Sequence, residues 1–218
     1  MSNSSKATGG ICLFPSPFVF WSDVDNHKEI KKNILPLVLE DIKTNGDDYI
    51  KNSNWECDII SSFHTYGENM GDINQKLMEN TGLIRSIWDA YNDMIFTLKG
   101  KEVIDEYVYD SYCDCVLYDI WYNKYNVDHH QDIHEHSPFE FSGIYILDDP
   151  EYSNTYFFDH SSVFKVEGRH TFSQQEAKDF DIREGSIIIF PGALPHHVPT
   201  VKSEKITLSF NFKLNSSP

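Results

Sequence analysis

Six of the ten histidines in this chain fall in two places. His129, His130, His134 and His136 lie within eight residues, and His196 and His197 follow about sixty residues later. One histidine alone says little, but a cluster of imidazoles is a candidate transition-metal site. His134 and His136 are two apart. If that stretch is extended, both side chains project from one face. His196 follows the apolar run at 186–190 and the turn Pro191-Gly192, which puts it at the mouth of a strand.

In a small antiparallel barrel these two places can meet around one ion. Two neighbouring ligands on one strand plus a distant histidine form a three-point face that leaves positions on the metal open. Mononuclear non-haem iron oxygenases use this geometry, and the open positions are where a co-substrate and dioxygen bind. A histidine-rich surface loop is the alternative on spacing alone. A second register also exists, because His130-Gln131-Asp132 offers a conventional His-x-Asp pair four residues earlier. A third arrangement sets a carboxylate from Asp132 or Glu135 beside His134. In the His134/His136 register, His129, His130 and His197 lie beside proposed ligands without touching the ion.

The elements that must position these residues change character along the chain. Residues 11–22 are apolar, aromatic and twice interrupted by proline, which suits an edge strand or a strand entry. Asn26 can cap a helix running to about Leu35, with Pro36 bending or restarting it. Residues 44–56 are polar and loop-like. From Asp72 to Leu98 apolar residues recur at three- and four-residue steps, a core-facing helical pattern that Gly82 divides in two. After about residue 103 short β-rich runs follow one another, at 114–123, 141–147, 155–159, 162–166, 186–190 and 206–212, with turn signals between several of them. The expected fold is α+β, mainly β: an N-terminal strand and helices over about 11–100, then an antiparallel sandwich or barrel over about 103–214, all in one domain behind a tail at 1–10.

Composition narrows the function. The 218 residues suffice for one sizeable core. A net charge of −16 repels phosphate, which argues against nucleic acid as a partner. No 18-residue apolar run offers a membrane span, and Met1–Gly10 lacks the pattern of a secretory signal. A cytoplasmic location is expected. Cys12, Cys57, Cys113 and Cys115 are too few and too scattered for a disulfide framework and read as reduced thiols. Cys113 and Cys115 are expected to share a face of one strand.

Several blocks together resemble a family of 2-oxoglutarate-Fe(II) oxygenases found in bacteria and phages. The run 121–143 carries Trp121, Asn123, His134, His136, Ser142 and Gly143 in that family's order. Glu184-Gly185, Phe190-Pro191 and His196 resemble its second block. The closing strand at 208–212 and the opening at 13–17 resemble its ends. The resemblance covers most of the chain. It implies a double-stranded β-helix, a jelly-roll, cupin-like barrel. It also implies Fe(II) on His134, His136 and His196, with 2-oxoglutarate as co-substrate and dioxygen as oxidant. The run matches without a gap only when His134 is the first ligand. Relatives place an arginine about nine residues past the distal histidine to hold the far carboxylate of 2-oxoglutarate; here that position is Lys205, with Thr207 on the same face. An ammonium can pair with that carboxylate as a point charge without the bidentate fork. Asn123 and Ser142 are further candidates for the co-substrate. Ile146 stands where many relatives have a tyrosine, for which Tyr118 or Tyr145 is a candidate replacement.

The activity expected is therefore hydroxylation of a small molecule, an amino acid or a basic peptide, with release of succinate and CO2, by a monomer or homodimer. Two alternatives remain open at this point: a cupin-like metal-binding module without oxidative turnover, and a three-histidine dioxygenase that does not use 2-oxoglutarate. The aromatic run 152–158 is either pocket wall or core.

Overall fold

A computed structural model describes residues 18–52, 59–65, 72–150, 155–158 and 182–215. Among these residues nine strands form two sheets. The larger has the order β1-β7-β5-β9-β3-β2, from Phe20–Asp23, Ser186–Pro191, Phe141–Asp148, Lys205–Leu214, Cys115–Tyr125 and Ile60–Ser61. The smaller has the order β4-β8-β6, from Gln131–His134, His196–Val198 and Tyr156–Phe157. Every pairing is antiparallel. As the sequence indicates, the chain is mainly β with helices first.

The larger sheet has two unlike faces because its strands alternate. On β9, Ile206, Leu208, Phe210 and Phe212 are buried in one cluster with Ile30, Ile34 and Val38 of α1 (His27–Asn52) and Leu83, Ile87, Tyr91 and Met94 of α3 (Thr81–Gly100). The rings of Tyr91 and Phe212 stack with centroids 4.1 Å apart. A second apolar group, including Ile144, Ile188, Phe190, Phe157 and Leu194, lies on the other face. The polar side chains of β9 face the same way as this second group, and that arrangement makes room for a site.

Close backbone packing requires glycine at two positions. A Cβ at Gly143 would run into the ring of Phe210, its cross-strand partner. A Cβ at Gly192 would meet the carbonyl of Phe139, and the Gly192 carbonyl accepts the His136 backbone N–H at 2.7 Å.

Several local expectations need correction. The helix begun near Asn26 does not stop at Pro36; α1 runs on to Asn52, so residues 44–52 are helical rather than loop. Pro36 faces solvent, while the stripe Ile30, Ile34 and Val38, spaced four apart, continues beneath it into the core. Burial of that stripe outweighs the hydrogen bond lost at proline. The second break falls at Asn80, not Gly82. Asn80 separates α2 (Asp72–Glu79) from α3 and caps α3 by accepting the Leu83 N–H at 3.0 Å. A further helix, α4 (Glu106–Cys113), precedes the strands, started by Asp105 accepting the Val108 N–H at 2.8 Å. Cys113 therefore ends a helix and is exposed, whereas Cys115 opens β3 and is buried; they do not share a strand face. Both are free thiols. Cys12, Cys57 and the runs 11–17 and 162–166 lie outside the described residues. No helix among those residues is long and apolar enough to cross a membrane.

Candidate metal centre and co-substrate cavity

The interior face of the larger sheet is a ladder of paired side chains. Along β3 and β9, Asp119 stands opposite Asn211, Trp121 opposite Ser209, Asn123 opposite Thr207, and Tyr125 opposite Lys205. On the other side of β9, Ser142 of β5 faces Asn211 and Ile144 faces Ser209. The β4-β8-β6 sheet closes over this ladder, with His134 paired to His196 and His196 to Phe157. The space between is a cavity of about 160 Å³. His134, His136 and His196 line one part of it, and Asn123, Tyr125, Gln131, Lys205 and Thr207 line another.

The three histidines offer ligand atoms that all lie within 4.8 Å of one another. His136 is contributed from just beyond β4, so the pair is not a simple two-residue strand repeat; the strand ends at His134, and the Gly192 carbonyl holds the His136 backbone N–H. Each Nδ1 is already committed. His134 Nδ1 faces the Asp132 carbonyl at 2.8 Å, and His196 Nδ1 faces the Leu194 carbonyl at 2.9 Å. A carbonyl only accepts, so Nδ1 carries the proton in both rings. His136 Nδ1 lies 2.9 Å from Asn211 Oδ1, which also accepts the Ser142 hydroxyl at 2.6 Å. The lone pairs therefore sit on the three Nε2 atoms. Burial lowers the pKa of all three; His136 is pushed down to about 4, with His134 adding repulsion and Asn211 opposing it. All three rings are neutral at pH 7, the state in which imidazole binds a metal. Three oriented nitrogen donors with fixed tautomers fit a divalent first-row ion. Trp121 stacks on His136 with centroids 5.7 Å apart, and Phe190 packs edge-on to His196 at 4.7 Å.

The Lys205 side of the cavity has a different chemistry. Lys205 is almost fully buried, and its Nζ lies 4.8 Å from the centre of the Tyr125 ring. Burial pushes its pKa down to about 8, while the charge of Asp149 pulls the other way. The Tyr125 hydroxyl donates to Gln131 Oε1 at 2.7 Å. Asn123 accepts from Ser61 Oγ at 2.7 Å and donates to Ser209 Oγ at 2.9 Å, so its amide is held flat in the wall.

The sequence candidates therefore divide. His134, His136 and His196 converge. Lys205, Thr207 and Asn123 line the same cavity, whereas Ser142 reaches it only through Asn211. His130 and Asp132 face each other at 3.6 Å outside the cavity, His130 half-buried and Asp132 exposed. His197 packs against the rings of Tyr156 and Phe158. Neither tyrosine replaces the residue expected at Ile146. Tyr118 is on the surface, and Tyr145 lies on the helix side with its hydroxyl 2.6 Å from His27 Nδ1. Of the run 152–158, the described Phe157 is buried in the apolar group behind His196. Sequence reasoning missed Asn211, Ser209, Gln131 and Tyr125. The signal for two of them was present: Lys205, Thr207, Ser209 and Asn211 recur with period two in an otherwise apolar strand.

Residues 119–212 match the model of a family described as "Putative 2OG-Fe(II) oxygenase". No curated protein matches the sequence. A prolyl hydroxylase from Trichoplax adhaerens, solved with a hypoxia inducible factor oxygen degradation domain peptide fragment, is similar in structure. It has a TM-score of 0.52 at 9% identity, over 92% of this chain and 87% of that one. AviO1 from Streptomyces viridochromogenes Tue57 gives 0.51 at 10% identity, over 94% and 93%. An oxidoreductase of the 2OG-Fe(II) oxygenase family from Burkholderia pseudomallei gives 0.40 at 14% identity, over 64% of this chain and 54% of that one. The chain thus spans about half the length of that last protein. The first two likenesses show the fold, a double-stranded β-helix. Residues 119–212, which hold the three convergent imidazoles, are thus similar to a family of 2OG-Fe(II) oxygenases.

Proposed function

We propose that the chain is a hydroxylase in which His134, His136 and His196 hold iron(II) and Lys205 holds the far carboxylate of 2-oxoglutarate. The observation that carries this reading is the shared cavity: three imidazoles with free Nε2 atoms and one buried ammonium line the same space. Iron(II) bound there supplies the dioxygen chemistry, in which 2-oxoglutarate loses CO2 to become succinate while the substrate is hydroxylated.

The chain's own residues do the rest. Three neutral imidazoles leave the ion's full positive charge, which favours a dianionic co-substrate. The Lys205 ammonium pairs with a carboxylate as a point charge, and Thr207 and Asn123 flank it with polar groups. Trp121, Ile144, Phe190 and Val198 pack around the imidazoles and the cavity and keep water away from the reacting atoms. The exposed lining residues Glu135 and Ser137, with half-exposed Phe63 and Phe139, mark the side from which substrate approaches. An acidic residue there, on a chain of charge −16, favours a neutral or cationic substrate: a small molecule, an amino acid or a basic peptide.

Anaerobic addition of iron(II) and 2-oxoglutarate to the metal-free protein tests the site. The expected result is a weak visible charge-transfer band, followed by succinate formation when air is admitted. Metal binding without the band would support a binding module or a dioxygenase that does not use 2-oxoglutarate.

A further inference from the structure

We propose that Asp119, acting through Asn211, is a positioning residue for the metal centre: it fixes the tautomer of His136 and supplies negative charge that the three-histidine ligand set lacks. The inference rests on the metal reading above. It begins with an irregularity in β3. Leu117 pairs with Phe212 and Asp119 with Asn211, so the register shifts and Tyr118 is the extra residue. The shift leaves Tyr118 on the surface and turns Asp119 inward, onto the face that carries Trp121, Asn123 and Tyr125.

A carboxylate in that position is costly. Asp119 is buried, and its Oδ1 has no hydrogen-bond partner among the described residues. Burial pushes its pKa up to about 7, and the side-chain and backbone N–H groups of Asn211 work against that. Among the described residues, no cation or imidazole is hydrogen-bonded to it. An apolar residue would be cheaper at this point in the core unless the charge serves something nearby.

The polar groups leading away from Asp119 run in one direction. The amide N–H of Asn211 faces the carboxylate. The amide therefore turns its Oδ1 the other way, towards the Ser142 hydroxyl at 2.6 Å and His136 Nδ1 at 2.9 Å. With Oδ1 as an acceptor, Nδ1 of His136 holds its proton and Nε2 keeps its lone pair for a metal. Reversing the amide would aim N–H groups at both Ser142 and His136 and at the same time set its oxygen against the carboxylate. Asp119 opposes that reversal, and its negative charge polarises the amide and makes the imidazole a stronger donor. His134 and His196 need no such device, because their Nδ1 atoms are fixed by backbone carbonyls.

Two readouts test this, one of them without any metal. Nitrogen-15 NMR of the metal-free protein should show His136 wholly as the Nδ1–H form. In Asp119→Ala the Nε2–H form should appear, and cobalt(II) titrated into the metal-free protein at about pH 8, where the Asp119 carboxylate is mostly ionised, should bind about 10- to 100-fold more weakly. The melting temperature of metal-free Asp119→Ala should be unchanged or higher, since an unpaired buried carboxylate has been removed. Asp119→Asn keeps the shape and an accepting oxygen; it should retain the tautomer, with cobalt affinity between those of the other two proteins. An unchanged tautomer in Asp119→Ala, or affinity lost only in step with melting temperature, would overturn the proposal. Affinity equal to the parent in Asp119→Asn would overturn the charge contribution. His134→Ala serves as the control: full cobalt affinity there would sink the metal reading itself, and this proposal with it.

Discussion

Lys205 and Tyr125 stand directly opposite each other on β9 and β3, with the Lys205 Nζ 4.8 Å from the centre of the Tyr125 ring. The aromatic face compensates part of the cost of burying an ammonium, but burial still pulls the lysine down to about 8. In the proposed reading this ammonium meets the far carboxylate of 2-oxoglutarate. Replacing Lys205 by Met should therefore raise the apparent 2-oxoglutarate constant by about 30- to several-thousand-fold, the roughly 2–5 kcal/mol of a buried carboxylate left without its partner. Iron content should be unaffected. Equilibrium titration with 2-oxoglutarate checks it, and an unchanged constant would move the carboxylate anchor elsewhere.

The same lysine sets a pH dependence in two directions. Its folded value, about 8, lies below the ordinary 10.5. The unfolded chain therefore binds more protons between those two values. Stability of the ligand-free protein should gain from this group as pH rises from about 8 towards 10.5, by about 1–3 kcal/mol if nothing else titrates. Binding of 2-oxoglutarate should run the opposite way. It needs the ammonium, so affinity should fall as pH rises past about 8. Lys205→Met should flatten both profiles, and denaturant melts with parallel ligand titrations would show whether it does.

Much of this site was legible before folding, and the reason is physical. Imidazoles are few and chemically distinctive, so His134, His136 and His196, which the fold brings together, could be picked out by type and interval. Strand alternation likewise placed Lys205 and Thr207 on one face. The second layer was not legible. Asn211 is one asparagine in a closing strand, and its role depends on a register shift at Tyr118 that no local preference announces. Pro36 misled for the opposite reason: its local cost is real, but the stripe Ile30, Ile34, Val38 buries enough apolar surface to carry the helix through.

Gly143 gives a test of the sheet rather than of the chemistry. Any Cβ there collides with the ring of Phe210, which is packed among β-sheet and helix side chains and cannot withdraw. Gly143→Ala should cost about 1–3 kcal/mol of stability through overpacking, and neighbouring Ser142 should lose its alignment on Asn211. A denaturant melt with an unchanged midpoint would show that β5 and β9 are less closely packed than described.

The ligand set itself can be decided by metal content. Two registers compete in sequence, His134/His136 and His130/Asp132, and they predict opposite outcomes. In the structure only the first faces His196, whereas His130 and Asp132 pair with each other outside the cavity. His136→Ala should therefore lose most of its iron, because only two imidazoles remain and the Asn211 oxygen keeps only the Ser142 hydroxyl. Asp132→Ala should keep its iron, since Asp132 serves His134 only through its backbone carbonyl, which alanine retains. His136→Asp should retain some metal, as a carboxylate from that position restores a third ligand and lowers the charge on the ion by one. That change should also weaken 2-oxoglutarate binding, because the dianion then meets a less positive centre. Iron analysis of the three purified variants decides the matter: iron lost in Asp132→Ala and kept in His136→Ala would replace the three-histidine site by a conventional histidine–carboxylate one.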